Sequence, residues 1–209
     1  MSPVSGLIRR RRARLAREPG PSYDPRVTPE PPDPTPDEPD DLADHPGLAR
    51  VRMALATAGV PDRVRVLVGS ARTAAEAAAS LGVEVAQIAN SLVFVATPHP
   101  DAVGGCDPHP VLVLASGGHR VDTGLLAEAF GVASIGRATP ELVRSTTGFV
   151  IGGVSPVGHL HPLPTMVDAD LARFDEVWAA AGHPRTVFPT SHDELLRLTG
   201  GTSAVVAAG

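Results

Sequence analysis

Residues 147–158 read Thr-Gly-Phe-Val-Ile-Gly-Gly-Val-Ser-Pro-Val-Gly, and the assembly of the surrounding chain turns on this stretch. Gly152 and Gly153 leave the backbone without side-chain obstruction and free to take positive φ. Pro156 then stiffens the chain, and Gly158 closes the run. Such a Gly-Gly-x-x-Pro segment has two readings. It is a tight turn holding two elements together, or a rigid loop whose backbone amides face a ligand. Amides of the second kind, aimed at an ester carbonyl, stabilise a developing oxyanion.

Working outward, Thr139-Pro140-Glu141 supplies a capping hydroxyl and a first-turn proline, so a helix starts there and ends before Gly148. Further upstream, Leu48, Val51, Leu55 and Ala56 recur at helical spacing and predict a first helix ending near Gly59. Arg63 to Val68 alternates with period two and predicts a strand. Thr73-Ala74-Ala75-Glu76 is a capping box for a helix closing at Gly82. Strands are expected at Ile88 to Val95, Val111 to Leu114 and Val132 to Ile135, with a helix from Asp122 to Phe130 capped by Asp122. Downstream, Thr165 to Asp168, Asp175 to Ala180 and Thr186 to Phe188 read as strands. Ser191-His192-Asp193-Glu194 repeats the capping-box pattern for a last helix ending at Gly200. Links such as Val95 to Val111 and Ala181 to Thr186 are too short for parallel crossovers. The expected fold is therefore α+β, a mixed and largely antiparallel, barrel-like sheet flanked by helices.

Residues 1–45 have a different character. Arg9 to Arg12, with Arg14 and Arg17, form a basic cluster, and a stretch rich in Pro, Asp and Glu follows. Proline removes donors and fixes φ, and there is little apolar surface to bury, so this segment is expected to be a disordered tail before a domain spanning 46–209. The Arg cluster is read as a solvated tail or as a phosphate-binding arm. The net charge of −5 argues against broad non-specific binding of nucleic acid, DNA included. No apolar run suits a membrane span, and the single cysteine, Cys106, fits a reducing cytoplasm. Every basic residue among the 18 Lys and Arg is Arg; the chain contains no Lys.

The order of segments resembles the YbaK/EbsC and prolyl-tRNA editing family. The resemblance is carried by Gln87-Ile88-Ala89-Asn90-Ser91-Leu92-Val93-Phe94, by Leu112 to Gly117 with Arg120-Val121-Asp122, by residues 147–158, and by Met166-Val167-Asp168 and Trp178 to Gly182. It covers about Pro46 to Ala208. What it implies is an aminoacyl-tRNA deacylase acting in trans on the 3′ end of mischarged tRNA, with water attacking and no metal or other cofactor; a further reading has the N-terminal tail recruit an aminoacyl-tRNA synthetase or another partner. It implies Asn90, Gly152, Gly153, Val154, Ser155 and Pro156 as the catalytic set. Ser91, Ser116, Gly117, Gly158, His159 and Asp168 are implied as substrate contacts.

Asn90 departs from the family pattern, in which many members carry Lys within Ile-x-Lys-Ser/Thr-Leu. An amide can donate and accept hydrogen bonds but supplies no charge. Either Asn90 orients the ester or its α-amine, or the cleft binds an aminoacyl or nucleotide group without turning it over. As a metal pair, His159 and His161 lack a nearby third ligand, because His183 and His192 are far along the chain. Ser116-Gly117-Gly118-His119 reads as a hairpin turn, Ser155 lacks the setting of a nucleophile elbow, and Trp178 reads as core. Asp168 is read equally as a cap for the segment from Ala169 to Phe174.

Overall fold

A computed structural model describes residues 42, 44–69, 71, 73–101 and 107–208. The basic cluster, the whole Pro/Asp/Glu stretch and Cys106 lie outside the described residues. Among the described residues, α-helices run over Pro46–Thr57 (α1), Ala74–Leu81 (α2), Thr123–Phe130 (α3), Pro140–Thr147 (α4) and His192–Thr199 (α5). Their starts follow the expected chemistry. Thr73 and Glu76 close a reciprocal capping box, Asp122 accepts from Gly124 and Leu125, and Thr139 accepts from Leu142. At α5 only half the box forms. Ser191 accepts from Glu194 N, but the Glu194 carboxylate turns to Thr190 Oγ1 and Arg63 instead.

Eight strands form one mixed sheet: Arg65–Val66 (β1), Ile88–Thr97 (β2), His109–Ser116 (β3), Ser134–Arg137 (β4), Thr165–Asp168 (β5), Val177–Ala180 (β6), Thr186–Thr190 (β7) and Thr202–Ala204 (β8). The order is β1-β7-β6-β2-β3-β5-β8, with β4 also on β2. The two short links expected to be antiparallel, β2–β3 and β6–β7, are so; β2–β6, β3–β5 and β5–β8 are parallel. β4 lies two residues later than its predicted span, where it can pair with the end of β2.

The strand expected from Arg63 to Val68 shrinks to two residues, and the cause is on its partner. β1 pairs Arg65 with Val187 and Val66 with Thr186. Continuing that register sets Arg63 opposite Pro189, which has no N–H to donate. Only Leu67 of this segment is buried, so alternation there reports an edge rather than a core face. β8 has no counterpart in the expectations, since Thr-Ser-Ala carries neither apolar alternation nor length.

β2 organises the sheet. Along one side it pairs with β3 from Ala89 to Ala96. On its other side β6 covers Ile88 and Ala89, and β4 covers Phe94 to Thr97. Neither strand reaches Asn90 to Val93, so the sheet is open there. Side chains alternate across the two faces. Ala89, Leu112, Leu114 and Val167 pack with α1 on one face, whereas Val111, Val113 and Ala115 pack with Leu126 of α3 on the other. Among the described residues no helix is long and apolar enough to cross a membrane.

Leu114 is 1% exposed and lies under the first of these faces. Leu114→Ala is expected to cost about 2–5 kcal/mol, read as a lower midpoint in urea unfolding with an unchanged slope.

Candidate active site

The segment 148–158 leaves α4 and folds over the face that carries Ala89 and Leu114. Val150 to Gly153 make a turn closed by Gly153 N donating to the Val150 carbonyl at 3.0 Å, with Gly152 at φ +87°, a left-handed position that disfavours any side chain. From Gly153 to Val157 the chain is buried, and Val154 and Val157 join the core beside Leu114. Ser155 is fully buried; its Oγ accepts from Val157 N at 3.3 Å. Its Oγ is therefore engaged within the loop as an acceptor.

Gly153 and Gly158 serve close approach. A Cβ on Gly153 would stand 3.0 Å from the His183 main chain and from Pro184 Cδ. One on Gly158 would stand 3.1 Å from the Arg50 carbonyl. The loop is thus pressed between α1 and the turn that follows β6. Within it, the amides of Val154 and Ser155 have no acceptor among the described residues. Two successive donors in a buried stretch thus go unmet within the described residues, which is unusual for main chain.

His159 braces this arrangement. Its Nε2 donates to the Ser155 carbonyl at 2.6 Å, and its ring meets Phe149 edge-on at 5.9 Å. Burial pushes its pKa below the ordinary 6.5; the Ser155 carbonyl opposes this and the Arg50 charge adds to it. His161, its neighbour in the sequence, is exposed.

On β2, Ser91 stands opposite Leu114 and Asn90 opposite Ala115. Alternation therefore gives Ser91 the face on which Val154 and Val157 pack, and gives Asn90 the face under α3. Both are half-buried within the uncovered stretch of β2. Ser91 Oγ is buried with no partner among the described residues, an arrangement that costs about 1–3 kcal/mol unless something meets it.

Ser116, Gly117 and Asp168 form a separate group beside the start of β2. Asp168, 1% exposed, accepts from Ser116 N at 3.0 Å and pairs with His119 Nδ1 at 2.7 Å, while its other oxygen caps the 3₁₀ turn Ala169–Arg173 through Asp170 N. Ser116 Oγ donates to the Ala86 carbonyl, and a Cβ on Gly117 would collide with the Val85 carbonyl. His119 N closes the expected turn on the Ser116 carbonyl. Their polar groups are engaged with partners inside the fold. Trp178 is 2% exposed and belongs to the core, as expected.

Sequence reasoning missed two neighbours of the loop. His183, distant along the chain, has its backbone against Gly153, and Arg50 of α1 reaches the carbonyls of Gly148 and Gly158. No local motif marks either residue, because the contacts are made across the fold. No group of three or more potential metal ligands gathers among the described residues.

A family model for the aminoacyl-tRNA editing domain matches residues 68–198. The chain belongs to this family, of the YbaK/EbsC type. Two bacterial relatives of the editing domain fit that membership. EbsC of Enterococcus faecalis (strain ATCC 700802 / V583), named for deacylation of Cys-tRNA(Pro) and Cys-tRNA(Cys), is 27% identical over 134 residues, 64% of this chain and 76% of that protein. YwhH of Bacillus subtilis (strain 168) is 30% identical over 126 residues, 60% of this chain and 74% of its own. A solved structure assigned by name to trans-editing for prolyl-tRNA synthetase shares 45% identity, with a TM-score of 0.69 over 78% of this chain and 98% of that one.

Two measurements test the site's physics without substrate. Ser91→Ala is expected to raise stability by about 1 kcal/mol, because it removes an unsatisfied buried hydroxyl; a loss of that size in chemical denaturation would mean that Oγ is already paired. His159 is expected to titrate below 6.5 by NMR. Since the folded chain binds that proton less readily than the unfolded one, stability from His159 is complete above about 6.5 and declines as pH falls through the lowered folded value. His159→Gln should flatten this acid-side decline.

Proposed function

We propose that the protein is a trans-acting aminoacyl-tRNA deacylase that clears mischarged tRNA in the cytoplasm, in association with a synthetase. The observation that carries this reading is the loop itself, which holds two consecutive donors, Val154 N and Ser155 N, in a buried and braced backbone. Donors fixed in advance stabilise charge that develops on an ester oxygen without reorganising during the reaction.

In this reading the 3′ aminoacyl ester enters beside the uncovered stretch of β2. Water adds to the ester carbon as the carbonyl oxygen takes up charge facing the loop amides. The bond to the ribose oxygen then breaks, and that oxygen leaves as a hydroxyl carrying a proton derived from the water. The neighbouring ribose hydroxyl assists the attack. Ser91 Oγ, on the loop's face of β2, contacts the acyl group or its α-amine, Gly153 and Pro156 fix the loop, and His159 holds the Ser155 carbonyl. The step runs through no metal. Support comes from membership of the editing family and from the naming of EbsC and the prolyl trans-editing structure.

One specific feature favours a second reading, a non-catalytic binder of aminoacyl or nucleotide groups: Asn90 stands where many relatives carry Lys, and the chain has no Lys to substitute. A panel of tRNAs charged with Cys, Ala, Ser or Pro separates the two. Release of free amino acid well above buffer hydrolysis is expected with at least one. Saturable binding without release from any of them would establish the second reading. Gly153→Ala is expected to lower turnover by roughly a hundredfold, because a methyl group would push the loop off the His183–Pro184 backbone and misplace its donors.

A further inference from the structure

The helix α1 precedes the span matched by the family model, yet it touches both walls of the site. The Arg50 guanidinium donates to the Gly148 carbonyl at 2.6 Å and to the Gly158 carbonyl at 3.3 Å, the two ends of the loop segment. Between these bonds it lies 4.9 Å over the centre of the Phe149 ring, whose edge in turn meets His159. Gly158 crosses the Arg50–Val51 backbone directly. One turn earlier, the start of α1 crosses the other wall. A Cβ on Gly182 would stand 2.6 Å from the Gly47 carbonyl, and the His45 ring lies 4.9 Å from that of His183.

From these contacts we infer that Arg50 is a positioning residue for the loop, setting the aim of the Val154 and Ser155 amides by fixing the carbonyls at both ends of their segment. A planar fork of donors can bind two acceptors and stack on a ring at once. Charge-assisted bonds of this kind are stronger than neutral ones. An ammonium in its place could reach one carbonyl but has no plane to lay on Phe149. The inference rests on the deacylase reading for its consequence in turnover, and on the loop contacts alone for its consequence in structure.

The test uses the full chain with Arg50→Met and Arg50→Lys. Arg52→Ala serves as a control on the same helix, since Arg52 pairs with Asp62 away from the loop. Deacylation is measured on whichever mischarged tRNA the wild type hydrolyses, and hydrogen exchange is followed across the chain. Arg50→Met is expected to lower kcat by roughly ten- to a hundredfold with KM changed by less than about threefold, the pattern of a misplaced transition-state contact. Exchange in residues 148–158 should speed up while β2 and β3 keep their protection. Arg50→Lys should fall between wild type and Arg50→Met, and Arg52→Ala should match the wild type in both readouts.

Wild-type kcat in Arg50→Met, or unchanged exchange in 148–158, would overturn the assignment. So would uniformly faster exchange through β2 and β3 in both Arg50 variants, which would make Arg50 a general stabiliser. If the wild type hydrolyses no charged tRNA, the deacylase reading fails by itself, and the exchange comparison still decides whether Arg50 holds the loop.

Discussion

A strand has two edges to satisfy, and β2 satisfies them unequally. Its pairing with β3 is continuous for eight residues, but its second edge is shared by two short strands that arrive from opposite ends and do not meet. An uncovered stretch inside a sheet is costly unless something else occupies the space or polar groups there meet solvent or ligand. Here the 148–158 segment packs over one face of the same region through Val154 and Val157. The break in pairing follows from the way β6 and β4 divide one edge, and the loop and the Ser91 hydroxyl, unpartnered among the described residues, lie on one face of that region.

The loop illustrates how glycine can produce rigidity. Gly152 and Gly158 both take a positive φ, and Gly153 and Gly158 are also small so that main chain can press against main chain on two sides. Close backbone packing leaves little room for the segment to rearrange. That property suits donors which must already point correctly before charge develops. It also places the determinants of the site in α1 and the turn after β6, far from the loop in the sequence.

Much of this was legible beforehand for local reasons. Caps at Thr73, Asp122 and Thr139 are decided by residues within one turn, and they formed as read. The loop's ordered neighbours identified the family, and the alternating helix and strand signals gave the mixed α+β sheet. What escaped the reading depends on partners across the fold. The expected strand from Arg63 was cut short by a proline in β7, and Glu194 left its half of a capping box for Thr190 and Arg63. Asp168 caps the 3₁₀ turn that follows it, a local pattern, but its bonds to Ser116 N and His119 join residues about fifty positions apart, beyond the reach of any local pattern. Asn90 and Ser91, adjacent in one motif, fall on opposite faces because a strand alternates.

The proline that shortens β1 has a further consequence, for the behaviour of many copies together. Among the described residues no strand covers the outer side of β7 beyond Val187, and in the β6–β7 register the ring nitrogen of Pro189 falls on that side. A growing stack of strands needs an amide donor at each alternate position along the edge it recruits. Pro189 withholds one at the first such position past β1. The two outermost strands, β1 and β8, are only two and three residues long. The sheet thus ends at both margins in edges poorly suited to templating a neighbour, so the molecule can keep an opening in its interior without inviting edge-to-edge aggregation at its rim.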